Sequence, residues 1–226
     1  MIETLTRVYP YLLTGIQVTI KAALISIVIG IFVGLISCLV RVNNIPVLKQ
    51  ISAAYVWIIR GTPMIVQALF IYFGMPQVIR MVFEDFRMSP FFAGCMTLSL
   101  NAGAYLSEIF RSGIQAVDAG QIEASRSLGV SQFKTMLHIV LPQAFKITIP
   151  SLVNQFIITI KDTSILTVIG LNEVVNQAKQ YVTIRYDYFE TYLWVGAFYL
   201  VVISLLMVLS KFVEKKFSYG KDSNKK

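Results

Sequence analysis

The chain has 226 residues, of which 56% are apolar and only 14% charged, and its mean hydropathy is +0.67. A soluble domain of this length cannot bury that much apolar surface, which excludes a water-soluble enzyme or binding module and leaves lipid as the solvent. The formal charge of +8 does not point to nucleic acid, because the basic residues fall between apolar runs, as in a chain oriented across a bilayer.

Residues 1–15 come first. Leu5, Val8, Tyr9 and Leu12 recur there at helical spacing and predict an external amphipathic segment lying on the outer surface. Five apolar stretches follow, each near the roughly 20 residues that a bilayer core requires. Residues 16–40 carry only Gln17 and Lys21 near their start, and the run is too long for the apolar part of a cleavable signal. Residues 51–75 are interrupted by Arg60-Gly61-Thr62-Pro63. Residues 90–110 form the third stretch, residues 147–171 carry Lys161-Asp162, and residues 192–213 begin with aromatics. The membrane domain thus covers 16–213, and 214–226 form a basic, solvated tail. Cys38 and Cys95 lie inside apolar runs without metal or redox spacing and read as small buried hydrophobes. The lone His138 has no metal-ligand companions, and no metal or cofactor is expected.

Five crossings put the termini on opposite sides. The first loop, third loop and tail then share 12 basic residues, against 5 on the other side (Arg7, Arg80, Arg87, Lys179 and Arg185). The positive-inside bias predicts a cytoplasmic C-terminus and an external N-terminus.

The third loop, residues 117–145, carries the most specific pattern. Residues 121–128 can form two helical turns between Gly120 and Gly129, and Gly129 suits the left-handed position that ends a helix. Ala124 and Leu128 share a face, and Ala124, Ser125 and Ser127 are small enough to let another surface approach. Pro142 predicts a turn before the next span. A short rigid helix with a small-residue face suits docking.

The segment resembles the EAA loop of permeases from binding-protein-dependent ABC importers: Glu-Ala-Ala, three residues, Gly, nine residues, Ile, one residue, Leu-Pro. Glu123-Ala124-Ser125, Gly129, Ile139 and Leu141-Pro142 keep every spacing, with Ser125 for Ala the single departure. Arg60-Gly61-Thr62-Pro63, Leu100-Asn101-Ala102-Gly103-Ala104-Tyr105 with Glu108, and Lys161-Asp162-Thr163-Ser164 resemble the polar amino acid branch of that family. The resemblance implies an all-α integral membrane fold of the type I importer class, with about five spans and a short cytoplasmic coupling helix. It implies a non-catalytic permease subunit in a bacterial cytoplasmic (inner) membrane, and ATP bound and hydrolysed by a partner. It further implies two ATPase subunits, an external amino-acid-binding protein, and a second permease copy or paralogue, a homodimer being favoured. Gln121, Glu123, Ala124, Ser125, Leu128 and Gly129 would couple the ATPase to transport, with Glu123 as polar anchor and Gly129 as sharp exit.

Charge and polarity inside a bilayer are expensive and mark partners or wet paths. Asn101, Tyr105 and Glu108 fall on one helical face, as do Ser151, Gln155, Thr159 and Asp162. Glu108 and Asp162 can serve an ammonium group, and Asn101, Tyr105, Gln155 and Thr159 can supply neutral hydrogen bonds. Two readings stand open: these residues line a substrate pathway, or they lock helices together with Lys161 or Arg111 neutralising a carboxylate. Gly61 and Pro63 are a hinge or a simple kink. Gln67 joins the pathway or bonds the backbone freed by Pro63.

No G-x-x-x-x-G-K-[ST] phosphate loop, H-E-x-x-H or G-x-S-x-G occurs. The alternatives to an importer permease are an ATPase-independent secondary amino acid transporter and a non-transporting scaffold. The loop pattern opposes the first and the costly intramembrane acids oppose the second.

Overall fold

The computed structural model describes residues 1–217, and every element among them is helical. The first helix, α1, runs without a break over Ile2–Val42. The segment predicted to lie apart on the outer surface is therefore the beginning of the first span. Its apolar stripe finds protein instead of lipid. Val8 and Leu12 are buried against Val174, Ala178, Tyr181 and Val182 of α9 (Val174–Arg185) and Val195 of α10 (Tyr188–Phe217). The Met1 ammonium pairs with Glu190 at 3.0 Å, the Thr4 hydroxyl donates to the same carboxylate, and Trp194 Nε1 donates to the Met1 carbonyl at 3.1 Å.

Gly15 makes this docking possible. A β-carbon there would stand 2.6 Å from the Val174 α-carbon, so α1 and the start of α9 touch backbone to backbone. Gly15→Ala should destabilise the chain by about 1–3 kcal/mol, the range for overpacking a rigid contact, read as earlier thermal unfolding in detergent.

After a turn at Asn43 and Asn44, α2 (Pro46–Gly61) packs back along α1 and the chain then breaks. α3 (Met64–Leu69), a π turn (Phe70–Gly74) and α4 (Met75–Ile79) continue at 109° to α2. Thr62 and Pro63 are extended, since the residue before a proline is pushed out of the α region. The bend lies at Thr62-Pro63. A β-carbon on Gly61 would meet nothing within 4 Å, and Gly61 is helical, so Gly61→Ala should leave fold and activity unchanged.

The third span, α5 (Pro90–Gln115), starts at Ser89, whose side chain accepts from the Phe92 amide at 3.2 Å. Gly30 and Gly34 of α1 face Ala102, Gly103 and Leu106 of α5, a small-residue contact that lets the two backbones close up. α6 (Ala119–Ser127) and α7 (Gln132–Thr135) form the third loop. A π turn (Met136–Val140), α8 (Leu141–Asp162) and a 3-10 segment (Thr163–Ile169) then follow. Helix continues from Gln132 to Ile169, so the turn predicted at Pro142 is absent. Pro142 lies inside this continuous run, two residues after the π turn, whose wider spacing absorbs the amide that the proline lacks.

Among the described residues, three helices are long and apolar enough to cross a bilayer, and the bent pair makes a fourth. α5 supplies the fifth crossing. Its 26 residues are long enough, but it is enclosed by α1, α2 and α8 rather than by lipid, so its faces carry Ser, Thr, Asn and Gly. Cys38 and Cys95 are buried and unpaired, as expected. The basic tail falls largely outside the described residues, α10 ending at Phe217.

Candidate functional site

The break in the second span, the middle of α5 and the C-terminal end of α8 enclose a cleft of about 440 Å³. It is lined by Thr62, Pro63 and Met64, by Asn101 and Tyr105, and by Gln155, Ile158, Asp162 and Ile165. Asn101 and Gln155 are buried and Asp162 half-buried. Among the described residues, none of these three side chains makes a hydrogen bond or an ion pair. None of their polar atoms is sealed off without a partner inside the protein, so three polar side chains that line one cavity with no protein partner mark a place for water or a polar solute. The Arg60 guanidinium stacks over the Tyr105 ring at 5.3 Å, which brings a cation to the wall opposite in charge to Asp162.

The other residues expected on the pathway lie elsewhere. Glu108 is held by Arg41 Nη1 at 2.6 Å and by Arg111 Nη2 at 2.7 Å. Arg41 also donates to the Ser107 hydroxyl, Ser107 donates to Ser37 at 3.1 Å, and Ser37 meets Ser52 at 2.6 Å. This chain of contacts ties α1, α2 and α5 together. Gln67 Nε2 donates to the carbonyls of Ile59 at 2.8 Å and Thr62 at 3.1 Å and to the Thr62 hydroxyl, bracing the break at Pro63. Thr159 donates to the Gln155 carbonyl within its own helix and does not reach the cleft lining. Lys161 makes no ion pair with Asp162 among the described residues. It faces another groove, beside Ser164, Gly196 and Tyr199.

In the third loop, Asp118 caps α6 by accepting from the Gln121 amide at 3.2 Å. Gly129, at φ +77°, ends it: its amide donates to Arg126, and that of Val130 to Ser125. The expected coupling residues divide between two faces. Glu123, Ala124, Leu128 and Gly129 are exposed, Leu128 at 84%. Ser125 is buried, its hydroxyl 2.9 Å from that of Thr135, and Gln121 accepts from Gln143 Nε2 at 2.7 Å. Ile122 packs with Val117, Val140 and Ala144. One face of α6 is thus offered outward and the other bound to the bundle.

Sequence patterning misses Glu173, which is 0% exposed in the link before α9. It accepts from the amides of Val175 and Asn176 at 2.8 and 2.7 Å, from Thr167 at 2.5 Å and from Tyr199 at 3.3 Å. An acid one residue before a helix was the available signal. Burial pushes its carboxyl above the ordinary 4.5, against the pull of those donors. The fold then retains a proton that the unfolded chain has released, so this residue's contribution to stability falls as pH rises from about 4.5 through the higher folded value. Glu173→Gln should flatten the fall of thermal stability as pH rises above about 4.5.

Comparison with known proteins agrees with the geometry. Residues 9–219 match the family described as the binding-protein-dependent transport system inner membrane component. The chain is 38% identical over 207 residues to the arginine transport system permease protein ArtQ of Bacillus subtilis (strain 168), covering 92% of each. It is 33% identical over 207 residues to the glutamine transport system permease protein GlnP of Escherichia coli (strain K12), covering 92% of this chain and 93% of that one. A solved amino acid ABC transporter with histidines superposes with a TM-score of 0.88 at 35% identity, over 94% of this chain and 97% of that one. The MetNI methionine ABC transporter shares the fold, with a TM-score of 0.76 at 18% identity over 92% of this chain and 96% of that one. The chain is an integral inner membrane protein and belongs to the binding-protein-dependent transport system inner membrane component family.

Proposed function

We propose that this chain is the permease subunit of an ATP-driven importer of a polar amino acid, and that the solute passes the cleft of Asn101, Gln155 and Asp162. The observation that carries the reading is the set of three unpartnered polar side chains around about 440 Å³, within the roughly 300–1,000 Å³ of small-molecule sites. Asp162 receives the ammonium group or a basic side chain. The amides of Asn101 and Gln155 donate to the carboxylate, and Arg60 holds an opposite charge beside Tyr105. ArtQ and GlnP, relatives at 38% and 33% identity, are named for arginine and glutamine, which supports an amino acid as the solute.

The outward face of α6 (Glu123, Ala124, Leu128) docks on one of two ATPase subunits, which bind and hydrolyse the ATP. A second permease copy completes the path, and an external binding protein delivers the solute. The N-terminus lies outside and the C-terminus in the cytoplasm, as the distribution of basic residues supports. Asp162→Asn should lower uptake by reconstituted complexes about tenfold or more while assembly is unchanged, since a lost charge-assisted contact is worth about 1.5–3 kcal/mol. Failed assembly, with uptake per surviving complex intact, would mean that Asp162 only holds helices together.

A further inference from the structure

We propose that α6 is also a splint: Gln121 and Ser125 are positioning residues that stiffen the π turn at the foot of the long fourth helix, so that motion of the coupling helix reaches the cleft undiminished. The inference rests on the proposed ATPase coupling.

Helix runs unbroken from Gln132 to Ile169 and connects the two functional ends of the molecule. Thr135, near its start, holds the coupling helix, and Gln155 and Asp162, about 20–27 residues and roughly 30–40 Å further along, line the cleft. A lever of this kind transmits displacement only where it is stiff. Its weak point is the π turn Met136–Val140, where the regular hydrogen-bond ladder is interrupted.

α6 grips the lever on both sides of that point. Before the turn, the Ser125 and Thr135 hydroxyls meet at 2.9 Å, at residue exposures of 4% and 2%. Beyond it, Gln143 Nε2 donates to Gln121 Oε1 at 2.7 Å and to the Ile139 carbonyl at 2.9 Å. Between the two tethers Ile122 packs on Val140 and Ala144. Gln121 and Ser125 are four residues apart and so lie on one face, opposite Glu123. The hydroxyl of Ser125, the one departure from Glu-Ala-Ala, thereby has a defined partner in this chain.

The test uses the complete complex of permease, ATPase and binding protein in proteoliposomes, with an equimolar radiolabelled mixture of the twenty amino acids as probe. ATPase co-purification, ATP hydrolysis and uptake per ATP are measured for Gln121→Ala, Gln143→Ala, Ser125→Ala and Gln121→Glu. The splint predicts that the three alanine variants retain the ATPase and hydrolyse ATP at the unsubstituted rate. Uptake per ATP falls about two- to tenfold for each, the equivalent of one hydrogen bond. Gln121→Glu keeps the acceptor for Gln143 and keeps the coupling ratio. Unchanged uptake per ATP in the alanine variants overturns the splint. Loss of ATPase co-purification also overturns it, because it would make these docking residues. Failure of the underlying coupling reading looks different: the unsubstituted permease itself would not bind the ATPase or would take up amino acids without ATP.

Discussion

Replacing Glu123 by arginine should release the ATPase from the permease while leaving the permease folded. The carboxylate stands on the exposed face of α6 and has no partner within the described residues. Surface substitutions of this kind usually move stability by no more than about 0.5 kcal/mol. Docking is a different matter. A reversed charge in the centre of an interface removes one charged contact and sets up repulsion, and central interface residues cost about 2 kcal/mol or more when lost. Affinity for the ATPase should therefore fall at least about thirtyfold, measured by titrating labelled ATPase onto permease in nanodiscs. Thermal unfolding of the permease should be unchanged. An unaltered affinity would remove Glu123 from the docking face.

Glu108→Ala should have the opposite profile, with large damage to stability and little to solute handling. Among the described residues its carboxylate is the only acid paired with Arg41 and Arg111, with side-chain exposures of 22%, 13% and 41% respectively. Removing it leaves two guanidinium groups together without a counter-charge. Breaking a buried pair costs about 3–5 kcal/mol, and the exposure of Arg111 puts this case near 3 kcal/mol. The link from Arg41 through Ser107 and Ser37 to Ser52 would loosen with it. Chemical unfolding in mild detergent measures the loss, and uptake normalised to folded complex separates it from transport. Normal stability with abolished uptake would return Glu108 to the solute path.

These two outcomes mark where one-dimensional patterning reads the molecule well and where it stops. The crossings, the broken second span and the short third-loop helix with its left-handed Gly129 were all legible, because each follows from local composition: apolar run length, Thr-Pro backbone limits, and a glycine after two helical turns. The stripe Asn101, Tyr105, Glu108 was correctly placed on one face. A face seven residues long spans about 10 Å, however, so its upper members reach the cleft and its last reaches Arg41. Periodicity gives direction around a helix axis and no information on which neighbour stands at each height. A related limit explains α6, where Ala124, Ser125 and Ser127 were read together as small residues open to a docking surface, and Ser125 turns out buried against Thr135 while Ala124 and Ser127 are exposed. It explains the N-terminal segment, whose apolar stripe fits a lipid surface or a protein groove equally well until α9 is in place. Glu173 was invisible because its partners lie in the backbone of α9 and on Thr167 and Tyr199, contacts that exist only once the links between spans have folded.

The account ties the cleft at one end of a single helix to an ATP-powered contact at the other. The most direct test is amino acid uptake into proteoliposomes carrying permease and ATPase, with binding protein outside and either ATP or a non-hydrolysable analogue sealed within. Accumulation that requires hydrolysable ATP, and that Asp162→Asn and Glu123→Arg each lower by about tenfold or more, is the predicted result. Accumulation by the permease alone, driven by an ion gradient with no nucleotide or ATPase present, would contradict it.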